Sequence, residues 1–456
     1  MGKRDQVIDW MKIAWFTPFP PEKSAIAEYS TVIVNELQKN CEIDLWVALH
    51  ESEDLELTEN KYSKYMKIVN YYRNPGYLNS LSSYDSIVYN MGNNLKFHKD
   101  IFECSKVYPG IVILHDYVLH HFFAAYHLSF KNSKEDYIKD MEKNHGTDGK
   151  KLAQDILSGK VPRVWETEEV IHYPLNRSVL ENVEGIVVHS NFVKNKLREY
   201  APLPIRAIPF PNPPAIDSQV KINKEALNIS PDKILIVTFG EINPNKRIEK
   251  VLKVLGENSI LKKNVIYVLI GKEDRNYYDL RPMIKKYNLN DSVRILGYQP
   301  KQILNEFILA SDICVNMRYP TMGESSWSLI QVLLGGKPAI VTKTGWYDEL
   351  PDDCVVKINP QREEEELLLH ITKLCHDDNL RRKIGQRACH FAKDNFSTEK
   401  YCEKIIDFIN HVRKCRVVTN LIDRVSWELS LMGILDDFTL VDDVAREIYY
   451  MCAHSE

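Results

Sequence analysis

The 456-residue chain contains no run of about 18 apolar residues, which excludes a membrane-spanning helix and leaves peripheral membrane contact open. None of its nine cysteines forms a C-x-x-C pair. They sit in apolar or helical stretches and read as buried free thiols of a reducing compartment. No His, Cys, Asp or Glu cluster has metal-ligand spacing, so no metal site is expected. An excess of one charge is also missing: 59 Lys and Arg stand against 63 Asp and Glu, a formal net charge of −4, spread along the chain. Such a balance excludes nucleic acid as a partner, and any anion must be met locally. The opening MGKRDQVIDWMKIAWF lacks the apolar core of a signal peptide, and Gln6 breaks the myristoylation pattern, so the cytoplasm is the expected address.

What is present is ample apolar material, 44% of residues, enough for two or three domains at roughly 100–200 residues each. Short β-branched runs alternate with helix-period segments in both halves, the pattern of parallel sheets flanked by helices. In the first half the strands are Lys12–Thr17, Glu42–Val47, Ser86–Asn90, Gly110–His115, Gly185–His189 and Ile205–Pro209, with a helix at Ser24–Asn40. Charged helices interrupt this rhythm over about residues 122–182 and read as an insertion. The turn Pro209-Phe210-Pro211-Asn212-Pro213-Pro214 halts regular structure, since proline lacks the donor that helices and central strands need. Three parts are therefore expected: an N-terminal Rossmann-like domain over 1–214, a second over 215–396, and helices over 397–456 that pack back on the body. Glu363 to Glu366 read as a solvated acidic first turn, and Leu421, Val425, Leu429 and Met432 as the docking stripe of the last segment.

Ligands of open α/β sheets bind beyond the carboxyl ends of strands, so chemistry is sought in strand-to-helix loops. One is Phe239-Gly240-Glu241-Ile242-Asn243-Pro244-Asn245-Lys246-Arg247. Gly240 frees the backbone to leave the strand, and two cations arrive at the positive end of a helix, a costly placement unless a phosphate answers them. A solvated surface pair is the alternative. A second loop runs from Arg318 to Ser328, where Gly323 permits close backbone approach and Ser325 or Ser326 caps a helix whose first N–H groups suit a diphosphate. An ordinary serine cap explains it equally. Glu324 can accept sugar hydroxyls or balance charge, and Gln331 lies two turns along the same face. A third loop, Pro18 to Tyr29, lacks G-x-G-x-x-G, which argues against a dinucleotide. The fourth, Leu114-His115-Asp116 followed by His120-His121, ends a strand with imidazole beside carboxylate, suited to hydroxyl recognition, proton handling or packing.

Together the loop FGEINPNKRIE, the run GESSWSLIQVLLGGKPAIVTKTGWYDELPDD and the opening TPFPPEKSAIAEYS resemble the retaining nucleotide-sugar glycosyltransferases of family GT4, which have the GT-B fold. YNMGNN, ILHDYVLHH and YPLNRSVLENVEGIVVHSNF are similar to first-domain stretches of a bacterial polysaccharide-assembly branch. The resemblance covers residues 11 to 400 or so and implies an α/β fold of two Rossmann-like domains facing a cleft. It implies that Lys246 binds the donor phosphate, that Gly323 to Ser326 hold the diphosphate through their backbone, that Gly297 and Tyr298 lie near the nucleobase, and that His115 faces the transferred sugar. Ser24, Ala25, Asn93 and Asp116 fall on the acceptor side. The chain departs from the family at Glu241, where an arginine is usual, so that Arg247 or Arg318 must supply the second positive charge. In register, the family's Glu-x7-Glu falls on Gly323 and Gln331, with Glu324 one place along, and Ala25 stands where glycine is usual.

The resemblance implies a hexosyltransferase that moves a sugar with retention from a UDP- or GDP-sugar to a saccharide or lipid-linked saccharide, with no cofactor. His115, Lys246 and Glu324 would be its catalytic residues. The departures keep two alternatives open: a non-catalytic binding subunit of the same fold, and a sugar-nucleotide epimerase.

Overall fold

The computed structural model describes residues 10–62, 64, 66–213, 222–431 and 447. Two all-parallel sheets organise them. The first has strands β1 (Lys12–Phe16), β2 (Glu42–Val47), β3 (Lys67–Asn70), β4 (Ser86–Met91), β5 (Gly110–Leu114), β6 (Val183–Val188) and β7 (Ile205–Ala207), in the order β3-β2-β1-β4-β5-β6-β7. The second has β8 (Ile234–Phe239), β9 (Val265–Ile270), β10 (Val293–Gly297), β11 (Ile313–Val315), β12 (Ala339–Thr342) and β13 (Val356–Ile358), in the order β10-β9-β8-β11-β12-β13. Helices cover both faces, so central strands such as β4 and β9 are buried along their whole length, as parallel sheets require. The expected two Rossmann-like domains are present. The sequence reading passed over β3, a four-residue edge strand beside β2.

Strand order reverses between β1 and β4 in the first sheet and between β8 and β11 in the second. Loops after those strands part at each reversal and leave a crevice at the carboxyl edge. The loops after β8 and β11 are the two cation-bearing loops singled out above.

Between β5 and β6 lie the expected helices, chiefly Lys134–Leu157, preceded by a π-helical turn at Ala125–Phe130. After the second sheet the chain returns to the first domain as one helix, Thr398–Leu431. Tyr401, Cys402, Ile405, Phe408, Ile409 and Val412 are buried there, and the Tyr401 hydroxyl meets that of Tyr29 at 2.7 Å. A Cβ on Gly185 of β6 would lie 2.8 Å from Val412 and 3.1 Å from Phe408, so the small residue lets the helix seat on the strand. Arg413 and Arg416 add ion pairs to Asp85 and Glu184. The docking expected of Thr419–Glu456 falls largely outside the described residues, as do the side chain of Leu421 and the whole of Met432. The described cysteines form no disulfide.

The acidic run is not simply a solvated face. Glu363 is 4% exposed and chelates Arg247, and Glu364 pairs with Lys250 and Lys253. Two of the four carboxylates thus clamp the helix Glu363–His376 to the helix Ile248–Glu257.

Candidate functional site

At the end of β8 the chain turns through Gly240 (φ 88°), makes one 3-10 turn at Pro244–Lys246, and enters the helix Ile248–Glu257 through Arg247 (φ 54°). This turn folds Lys246 back on its own strand. Its side chain is 2% exposed and its ammonium donates to the Phe239 carbonyl. A Cβ on Gly240 would sit 3.1 Å from that nitrogen, so glycine leaves the ammonium its room. Burial, and then the Arg318 guanidinium, push the Lys246 pKa well down, while Glu241 and Glu324 oppose them. A buried cation stripped of water is a strong anion site because a diphosphate relieves its desolvation.

Of the two arginines proposed for the second charge, the structure brings only Arg318 to Lys246. Arg247 points to the far side, where Nε lies 2.9 Å from both Glu363 oxygens and Nη2 is 2.6 Å from Oε2. Its charge is answered within the protein. Arg318 is held by its Nη1 donating to the Met317 carbonyl at 3.1 Å and by Glu324 Oε1 at 3.3 Å from Nε. Glu324 also accepts from the Met322 N–H at 2.7 Å. The loop after β11 is therefore pre-shaped by its own carboxylate.

Gly323 (φ 78°) carries this loop onto the first domain: a Cβ there would lie 2.4 Å from that of Tyr117. Val118 N–H donates across the domains to Met322 C=O at 2.9 Å, and Ser325 Oγ reaches the His189 carbonyl at 3.4 Å. Ser326 is the N-cap of the helix Trp327–Leu334, accepting from Leu329 N–H at 3.2 Å. Gln331 is buried in that helix. Gly297 (φ 68°) ends β10 with open space around its missing Cβ, and Tyr298 is 69% exposed, at the rim.

Facing this loop is the carboxyl edge of the first sheet. Asp116 accepts from Asn93 N–H at 2.9 Å; burial first, then the Glu324 carboxylate, raise its pKa to about 7. Asn93 is a junction, with Oδ1 accepting from Phe122 N–H at 3.0 Å and Nδ2 3.2 Å from His121 Nδ1. Ser24 caps the helix Ala25–Leu37, and Ala25 is exposed. His115 is 8% exposed, and both its ring nitrogens meet protein groups: Nε2 lies 3.1 Å from Asn90 Oδ1 and Nδ1 3.3 Å from His189 Nε2. The edges of Tyr29 and Phe210 close round it. Sequence reasoning missed His189, Asn90 and Glu349, whose carboxylate takes the Asn191 and Phe192 N–H groups at 3.1 and 2.5 Å across the cleft. The one available signal was that His189, like His115, ends a buried strand. Among the described residues no group of three or more His, Cys, Asp or Glu is arranged to hold a metal ion.

Two parallel-sheet domains meeting at their carboxyl edges are also the architecture of solved structures. Sucrose-phosphate synthase from Thermosynechococcus elongatus aligns over 88% of this chain and 99% of its own, with a TM-score of 0.58 and 14% identity. Anabaena HepE, solved with UDP and with UDP-glucose, aligns over 88% of this chain and 100% of its own, with a TM-score of 0.60 and 14% identity. The fold is GT-B. Within this GT-B fold, residues 219–391 match the family model of glycosyl transferases group 1. An uncharacterized glycosyltransferase of Methanocaldococcus jannaschii is 25% identical over 237 residues, 50% of this chain. The chain spans 58% of that relative's length. The GT-B domains here contain no helix, among the described residues, long and apolar enough to cross a membrane.

Proposed function

We propose that the protein is a retaining hexosyltransferase of the GT4 type, transferring a sugar from a UDP- or GDP-sugar to a saccharide or lipid-linked saccharide in polysaccharide or glycoconjugate assembly at the cytoplasmic side. The observation that carries this reading is Lys246, a buried ammonium beside Arg318 at the point where the second sheet reverses. Anabaena HepE, of like fold, was solved with UDP-glucose, which supports a uridine nucleotide.

In this reading the bond from the anomeric carbon to the diphosphate lengthens first, and negative charge grows on the departing oxygen. Lys246, Arg318 and the N–H groups of Gly323 to Ser326 answer that charge, an arrangement worth most where water is excluded. The diphosphate draws Arg318 away from Glu324, which frees a carboxylate oxygen for sugar hydroxyls. The acceptor hydroxyl attacks from the leaving-group side, its oxygen bonds the anomeric carbon, and its proton passes to the diphosphate. Gly297 and Tyr298 lie toward the base, and Asp116 and Asn93 toward the acceptor.

A binding subunit without turnover is the second reading, and one observation favours it: Glu241 and Glu324 already offset Lys246 and Arg318. A single series separates the two. Nucleotide release from UDP-glucose with a saccharide acceptor is expected, and Lys246→Ala should lower it about a hundredfold or more, the usual worth of one such group. Tight UDP binding by calorimetry without any release would support the binding subunit, and undiminished release in the variant would refute the site.

A further inference from the structure

Three contacts at hydrogen-bond distance link two strand-end histidines into one line across the floor of the first domain. His189 Nδ1 lies 3.2 Å from the Ile208 carbonyl, His189 Nε2 lies 3.3 Å from His115 Nδ1, and His115 Nε2 lies 3.1 Å from Asn90 Oδ1. The protons on this line can be counted. A carbonyl only accepts, so His189 Nδ1 carries a proton, and in a neutral ring its Nε2 is then a lone pair. His115 Nδ1 must donate to it. That leaves His115 Nε2 as a lone pair opposite Asn90 Oδ1, another acceptor. Asn90 cannot turn its amide round to help, because its Nδ2 donates to the Phe16 carbonyl at 3.1 Å. Three bonds need three protons, and two neutral rings hold two.

The third proton does not come cheaply from solution. Burial lowers the His189 pKa to about 4 against the pull of the Ile208 carbonyl, and burial and then the His189 ring push the His115 pKa well below its usual value. The titratable neighbours on the packed elements are Tyr29, His98 and Tyr401, together with Asp116 next in the chain. Burial keeps the two phenols protonated and His98 neutral near pH 7, the last with a pKa of about 4. Near neutral pH the two rings therefore leave the third contact one proton short, which calls for a neutral donor.

We propose that His189 is a positioning residue that locks His115 in its Nδ1–H form, so that His115 Nε2 and Asn90 Oδ1 together accept one hydroxyl proton of a saccharide in the cleft. The inference deepens the transferase reading and rests on it for the identity of the ligand. The tautomer itself does not depend on that reading. An uncharged polyol satisfies the third bond without burying a charge, whereas an ammonium or a carboxylate in the same place does not. His115, which follows β5, is the least buried of the three side chains at 8%, against 5% for His189 and 0% for Asn90.

Long-range proton–nitrogen correlation spectra of the full chain, labelled at the histidine ring nitrogens, read the tautomers directly. Near neutral pH both His115 and His189 are expected as Nδ1–H. In His189→Phe, which keeps an aromatic ring among Tyr29, Phe210 and Tyr401, His115 is expected to switch to Nε2–H and bond Asn90. An Nε2–H form of His115 in the unsubstituted protein would overturn the proposal, and that measurement stands even if the variant does not fold. Where the variant folds and turnover is measurable, kcat is expected to fall about tenfold, the worth of one hydrogen bond, with the donor KM little changed. An unchanged kcat in a variant whose tautomer has switched would overturn the positioning role. Absence of turnover in the unsubstituted protein would sink the transferase reading and leave the tautomer result to stand or fall by itself.

Discussion

Single residues at this site are set by how their charges are answered. Arg247 and Lys246 are adjacent, yet a left-handed backbone at Arg247 sends one outward to Glu363 and the other back under Gly240. Asp116 is the mirror case on the opposite lip, a carboxyl that meets burial and the Glu324 carboxylate and has one backbone N–H to support its charge. Its pKa is raised, so the folded state binds the proton more tightly than the unfolded chain does. The stability this contributes is fully present below about pH 4 and is lost as pH rises through about 7. Asp116→Asn is uncharged throughout and still accepts from Asn93. It should melt close to the unsubstituted protein at low pH and several degrees above it at pH well above the folded pKa. Equal melting differences at both pH values would show that no buried carboxylate titrates there.

At the scale of elements, the C-terminal helix decides how the molecule is held. The helix Thr398–Leu431 leaves the second domain and lies across the first, with Phe408 1% exposed against Gly185 and the Arg206 guanidinium 5.2 Å from its ring. Phe408→Ala should cost about 3–5 kcal/mol, as large core truncations do, and should open the helix to protease before either sheet unfolds. A urea midpoint and a digestion pattern like those of the unsubstituted chain would mean that this packing is not what fastens the helix. The strands were legible because β-branched runs bounded by turn residues have few other uses, and only the short edge strand β3 escaped. The acidic run was misread because a first-turn carboxylate and a clamp to a neighbouring helix look alike until the neighbour is known.

For the whole molecule, the approach of the two domains assembles the site. Gly323 touches Tyr117, Val118 bonds Met322, and Glu349 caps the helix Asn191–Arg198 from the other domain. A methyl group at position 323 cannot fit 2.4 Å from Tyr117, and its φ of 78° disfavours any L side chain. Gly323→Ala should therefore hold the domains apart, seen as a larger radius of gyration by small-angle scattering, with turnover lost and each domain still folded. An unchanged radius and unchanged turnover would show that this contact does not set closure.

The sequence by itself determined the two parallel sheets, the inserted helices and the placing of Lys246 and Arg318 in strand-to-helix loops. These follow from hydrophobic period and turn chemistry, which act between near neighbours in the chain. Only the tertiary structure decided that Glu363 claims Arg247, that Arg318 is the cation beside Lys246, and that His189 and Asn90 flank His115. Those partners lie 25 to 116 positions apart in the chain. Charge and hydrogen-bond partners are chosen by distance in space, and local periodicity carries no record of that distance.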